Sequence, residues 1–315
     1  MKNVSIFISL AALSILFGYI SYNEIRRGAV MQSETISDES VAELQYVEAG
    51  GPFPAVSLDV PRNLTFAGEP VPLNIPDVYE RLDKELQINT YFHSNTLFLI
   101  KRANRWLPQI EKILRENDVP EDFKYLPLIE SNLLNDISPK NAVGYWQILK
   151  SAGKENGLEI TDEVDERYDP LKATVAACRY LKKAHRKFGS WTLVAASYNR
   201  GMGGMERAIE NQKVNSYYDL YLNEETARYV FRILAIKEIV ENPLRYGFRV
   251  NPRHLYEEEQ LRYVEVDETV KDLVTFAKQH NTNYKLIKRH NPWLREDRLT
   301  VKKDKQYRIA IPVEQ

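Results

Sequence analysis

The sequence predicts a mainly α protein that closes on a small βααβ module. Apolar residues recur at the i, i+3, i+4 spacing of helices through most of residues 76–250. By contrast, 261–266 and 307–311 alternate like strands around two short helical runs. Four regions are expected: an N-terminal segment 1–27, a linker 28–75, a helical domain 76–250 and the module 260–315.

Residues 4–22 form a run without charge, flanked by Lys2 and by Glu24, Arg26 and Arg27. That is close to the roughly 20 residues a bilayer-spanning helix needs. The segment is read as an uncleaved membrane anchor or a cleaved signal peptide, and either one exports the rest of the chain. Residues 28–75 have no sustained period and carry Gly50, Gly51, Pro52, Pro54, Pro61, Pro70 and Pro72, the composition of a linker.

Helices follow. Val78, Leu82 and Leu86 mark one, and 95–117 marks a longer one with Leu97, Ile100, Leu107, Ile110 and Leu114 inward. A helix over 123–134 is expected next, then helices over 171–187, 193–197 and 225–241. In the module, Val270, Leu273, Val274 and Ala277 mark one short helix and 284–289 another.

Composition narrows the function classes. Lys plus Arg (43) nearly balances Asp plus Glu (44), a net charge of -1, which leaves no basic footprint for nucleic acid. The single cysteine, Cys178, excludes an intrachain disulfide and a Cys-based zinc site. It shares an apolar helical face with Leu171, Val175 and Leu181, the setting of a small core residue. His93, His185, His254, His280 and His290 are scattered, with no pair at metal-ligand spacing, so no metal or cofactor is expected.

The chemistry concentrates in 125–147, YLPLIESNLLNDISPKNAVGYWQ. On a helix over 123–134, Phe123, Leu126, Pro127, Leu133 and Leu134 form a stripe, and Glu130 falls in its middle. A carboxyl group aimed at an apolar surface is pushed towards its neutral form, as a general acid requires near neutral pH. The same pattern is compatible with Glu130 paired to a buried arginine, or with a helix rotated to expose it. Two more polar clusters end apolar segments: 144–147, GYWQ, and 197–199, SYN, before Gly201. Aromatic rings and amides together are the usual lining of a sugar site.

LPLIES, GYWQ and SYNRG, in that order, followed by EETARYVFRILA, resemble the family 1 lytic transglycosylases, and within them the membrane-bound D branch. The resemblance covers roughly 76–250. The family often has Leu and Met where this chain has Tyr145 and Trp146, and Trp at the second place suits the D branch. It implies a lysozyme-like (goose-type/soluble lytic transglycosylase-like) catalytic domain acting on peptidoglycan glycan strands. The bond cleaved would be the MurNAc–GlcNAc β-1,4 link, without water. Glu130 would be the one catalytic acid/base, with Ser131, Gln147, Tyr198 and Asn199 holding the acid and gripping the sugar, and Tyr229 a further candidate. The substrate's own C6 hydroxyl would replace the second carboxylate of ordinary glycosidases. The terminal module resembles a degenerate LysM domain, a carbohydrate-binding unit, through LRYVEV, TVKDLVTFAKQHN, LIKRHNPW and YRIAIP. Rival readings are a goose-type lysozyme-like hydrolase and a non-catalytic wall-binding protein.

Overall fold

The computed structural model describes residues 56–313, so the apolar run 4–22 lies outside the described residues. Among those described, no helix is long and apolar enough to cross a membrane. Met1–Val56 and Ser57–Gln315 are separate units, and the account below concerns the second.

A two-residue hairpin comes first, β1 (Thr65–Phe66) paired antiparallel with β2 (Glu69–Pro70). Its turn uses positive φ at Ala67 (52°) and Gly68 (82°). This corrects the linker, which does not extend to residue 75. Val60, Phe66 and Val71 are core residues, and the Phe66 ring meets Phe123 edge-on at 5.2 Å. The proline-rich stretch hides the anchors because two-residue strands leave no period to detect. Glu69 has a second task. Its carboxylate accepts from the Trp191 and Thr192 backbone N–H groups, at 2.5 and 3.1 Å, and from the Ser190 hydroxyl at 3.0 Å.

The helical domain is built from α1 (Pro76–Tyr91), α2 (His93–Glu116), α3 (Leu126–Ser131), α4 (Lys150–Glu155), α5 (Pro170–Phe188), α6 (Trp191–Arg200), α7 (Met202–Gln212) and α8 (Glu224–Glu241). Helix α5 shows why the boundaries fall where they do. The Asp169 side chain accepts from the N–H groups of Leu171 (2.9 Å) and Lys172 (3.0 Å), Pro170 opens the first turn, and Gly189 (φ 69°) ends it in the left-handed region. Buried Ala173, Ala176, Ala177 and Ala184 on α5, with Ala195 and Ala196 on α6, allow close helix approach. Helix α8 is buried on most sides and packs against α1 and α6.

The helix expected over 123–134 is shorter. A 3₁₀ turn at Glu121–Tyr125 precedes α3, and Pro127 occupies its first turn, where a missing N–H costs nothing. Asn132 (φ 53°) and Leu133 (φ 57°) are left-handed and end it, leaving Leu134 39% exposed and off the stripe. Gly203 and Gly204 lie in the first turn of α7.

The C-terminal module has the expected order: β3 (Leu261–Val266), α9 (Leu273–Gln279), α10 (Tyr284–His290), β4 (Tyr307–Pro312). The strands pair antiparallel from Leu261 opposite Pro312 to Val266 opposite Tyr307. A separate core gathers Leu273, Ile287, Trp293, Leu294, Leu299 and Ile309, and it includes Val164 from the helical domain. The Asp165 N–H donates to the Trp293 carbonyl at 2.9 Å and that of Arg295 to Glu163 at 2.8 Å. The Glu163 carboxylate also accepts from Arg298 and from the Thr300 N–H.

Candidate active site

A cavity of about 570 Å³ opens between α3, the 138–149 loop, α5, α6 and the start of α8. Glu130, Gln147, Tyr198 and Asn199 all line it, so four of the six expected site residues meet there. Ser131 and Tyr229 do not line it and stand behind its wall.

Glu130 sits one residue before the end of α3. The Tyr229 hydroxyl, from α8, donates to its Oε1. Arg232, one turn further along α8, donates to the Ile129 carbonyl at 2.7 Å. Among the described residues Glu130 has no cation within ion-pair distance, which removes the buried-arginine alternative. Burial raises its pKa above the ordinary carboxylate value. The Tyr229 hydrogen bond and the Arg232 charge act in the opposite direction, and the Glu225 carboxylate adds to the rise. The result is a carboxyl group at a cavity wall with its proton favoured.

The other residues are held by backbone contacts. Ser131, buried, donates its hydroxyl to the carbonyls of Pro127 (3.2 Å) and Tyr145 (2.9 Å), tying the acid's helix to the GYWQ segment. It is placed to hold the acid's helix, one of the two tasks expected of the set Ser131, Gln147, Tyr198 and Asn199. The Gln147 side chain donates to the Gly144 and Asp136 carbonyls at 2.9 and 3.1 Å. Tyr198 donates its hydroxyl to the Trp146 carbonyl at 2.7 Å, leaving its ring for the cavity. Trp146 is fully buried and donates to the Thr174 hydroxyl at 2.8 Å, a core role. At Gly144 (φ +78°) a Cβ would lie 2.1 Å from the Arg167 carbonyl oxygen, so only glycine fits.

Sequence reading missed Glu225, which lines the same cavity and accepts from Asn199 Nδ2 at 2.9 Å. Asn199 Oδ1 in turn accepts from the Thr226 hydroxyl at 2.8 Å, so the first turn of α8 fixes the amide. Glu225 is exposed in that first turn, where acidic residues are common for dipole reasons, and its type alone carries no signal. Tyr145 does not shape this cavity. Its ring packs edge-on against Trp106 at 5.2 Å and faces the C-terminal module. Among the described residues no group of three or more His, Cys, Asp or Glu is placed to hold a metal ion.

These features define a helical domain with one buried carboxyl group at a cavity lined by an aromatic ring and two amides. Residues 108–220 match the transglycosylase SLT domain, and residues 262–315 match the soluble lytic transglycosylase C-terminal LysM-like domain. The two matches follow one another in that order along the chain. It is 32% identical over 194 residues to membrane-bound lytic murein transglycosylase D of Escherichia coli K12, and equally to that of E. coli O6:H1. Each alignment covers 59% of this chain and 42% of the relative, so the chain spans less than half the length of these relatives. A putative tributyltin chloride resistance protein of Alteromonas sp. M-1 is 32% identical over 114 residues, 36% of this chain and 55% of that one.

Proposed function

We propose that this chain is a peptidoglycan lytic transglycosylase, with Glu130 as its single acid/base. The observation that carries the reading is a carboxyl group kept towards its protonated form by burial, in a cavity shared with Gln147, Tyr198 and Asn199. The SLT match over 108–220 supports the same class.

In this mechanism a glycan strand lies along the cavity with the MurNAc–GlcNAc β-1,4 oxygen beside Glu130. The acid donates its proton to that oxygen as the bond breaks. The resulting carboxylate is stabilised by the Tyr229 hydroxyl, the group already bonded to it, and by the nearby Arg232 charge. It then accepts the proton of the MurNAc C6 hydroxyl as that oxygen closes on C1, giving a 1,6-anhydro ring and returning the acid. Gln147 and Asn199 supply amide contacts to the sugar, and the Tyr198 ring covers an apolar sugar face. Ser131 and Tyr229 position the acid. The apolar run 4–22 would hold the protein at a membrane after export, on the periplasmic side.

Glu225 favours a second reading. As another carboxylate at the same cavity it could activate water, making the enzyme a hydrolase. Digestion of purified sacculi separates the two. Transglycosylation yields muropeptides ending in 1,6-anhydroMurNAc, one water lighter than hydrolytic products. Reducing ends would move the assignment to the hydrolase, and an absence of products to a wall-binding protein.

A further inference from the structure

We propose that the cavity between the helical domain and the C-terminal module is a second ligand site, taking the carboxylate-bearing peptide of peptidoglycan. This rests on the reading of peptidoglycan as substrate. The cavity measures about 380 Å³ and is walled by Arg105, Trp106 and Tyr145 on one side and by Tyr263, Arg289 and Arg308 on the other. That volume is in the range of pockets that enclose small ligands.

Its charges select the ligand. Glu259 accepts from Arg289 at 2.5 Å and lies 3.2 Å from Arg105, so those two cations are already paired. Arg308 is not. Its guanidinium lies over the Tyr263 ring at 4.6 Å, and no carboxylate comes within ion-pair distance among the described residues. An arginine head backed by an aromatic ring and lacking an anion matches a carboxylate in two-pronged geometry. Two polar atoms in the wall also lack partners. His290, with a side chain 7% exposed, has its Nε2 3.5 Å from Glu259 without a hydrogen bond, and the Asn135 side-chain oxygen is likewise buried and unbonded. Buried groups without hydrogen-bond partners are unfavourable, and peptide amides can satisfy them. A neutral sugar offers hydroxyl and acetamido oxygens to the free guanidinium but no opposite charge.

The cavity also shares a wall with the active site. The Tyr145 ring faces it, while the Tyr145 carbonyl takes the hydroxyl of Ser131, next to Glu130, and Gln147 lines the catalytic cavity. A peptide held against Tyr145 therefore steadies the segment that positions the acid.

The test uses the full chain carrying Glu130→Gln, so that nothing is turned over, and isothermal calorimetry. Stem peptides freed from sacculi by an amidase should bind. Arg308→Glu should weaken that binding at least about tenfold and Arg308→Lys less, with circular dichroism unchanged because Arg308 is exposed. Methyl esters of the same peptides should not bind. The proposal fails if the peptides do not bind, if Arg308→Glu leaves binding unchanged, or if peptide-free glycan strands are what Arg308 holds. Loss of lytic activity in the unmutated protein would strike the function assigned above while leaving this peptide binding to be read on its own.

Discussion

Two glutamates are held by neighbouring residues of α8, and their surroundings differ in one respect. Glu85 of α1 is 1% exposed and accepts from the Arg228 guanidinium at 2.5 Å. Glu130 of α3 accepts from the next residue, Tyr229, through a phenolic hydroxyl. The first has a full opposite charge and joins two helices. The second has only a neutral hydrogen-bond donor and an open cavity in front of it, so burial outweighs that bond and the Arg232 charge and raises its pKa. Burial alone thus does not mark a catalytic carboxylate. A paired cation at Glu85 and none at Glu130 is what separates the two.

The largest expected effect lies at the unpaired acid. Glu130→Gln should lower the rate of sacculus solubilisation by at least about 10²-fold, while the thermal midpoint holds or rises. Retained turnover would mean the acid is elsewhere. Glu85→Ala should do the opposite. It should reduce stability in urea melts by about 1–3 kcal/mol, since it removes the buried partner of Arg228 and leaves only the exposed Glu224 at 3.9 Å, and leave the activity of the folded protein near normal. An equal loss of activity in both variants would erase the distinction.

Tyr229→Phe tests the neutral donor. A fall of about tenfold in kcat/KM is expected, the worth of one hydrogen bond to a charged group. Because that bond lowers the Glu130 pKa, its loss should shift the basic limb of the pH–rate profile upward. A downward shift would contradict the arrangement.

Stability against pH gives the smallest signal. Glu130 has a raised pKa in the folded state, so that state holds its proton where the unfolded chain has released it. Its contribution is full below the ordinary carboxylate pKa and declines as pH rises towards the folded value. The wild type should therefore lose stability relative to Glu130→Gln across that window, and parallel curves would exclude the shift. Away from both glutamates, Glu69→Ala should cost about 1–2 kcal/mol in the same melts, because its carboxylate caps α6.

Much of this was legible in the sequence where periodicity is strong. The long helix with Ile110 and Leu114 inward begins two residues before its expected start, and the βααβ order of the module is as read. Glu130 stood out because a carboxylate interrupts an apolar stripe. What escaped detection has no period. Phe66 and Glu69 sit on strands of two residues each, yet one fills the core and the other caps the helix that carries Tyr198 and Asn199. Glu225 looks like any acidic residue in a first turn. That Ser131 binds backbone carbonyls, and that Tyr145 turns away from the acid, depends on chain folding well beyond the local window.

The short span 159–166 belongs by sequence to the helical domain but lends Val164 to the other core and Glu163 to Arg298 and Thr300. Cutting the chain after residue 250 would therefore not shed a detachable appendage. It would uncover Val164, strand Glu163 without its donors and remove half the wall around Tyr145. Anyone shortening this protein should expect the remaining part to become less soluble first and less ordered near Gly144 second.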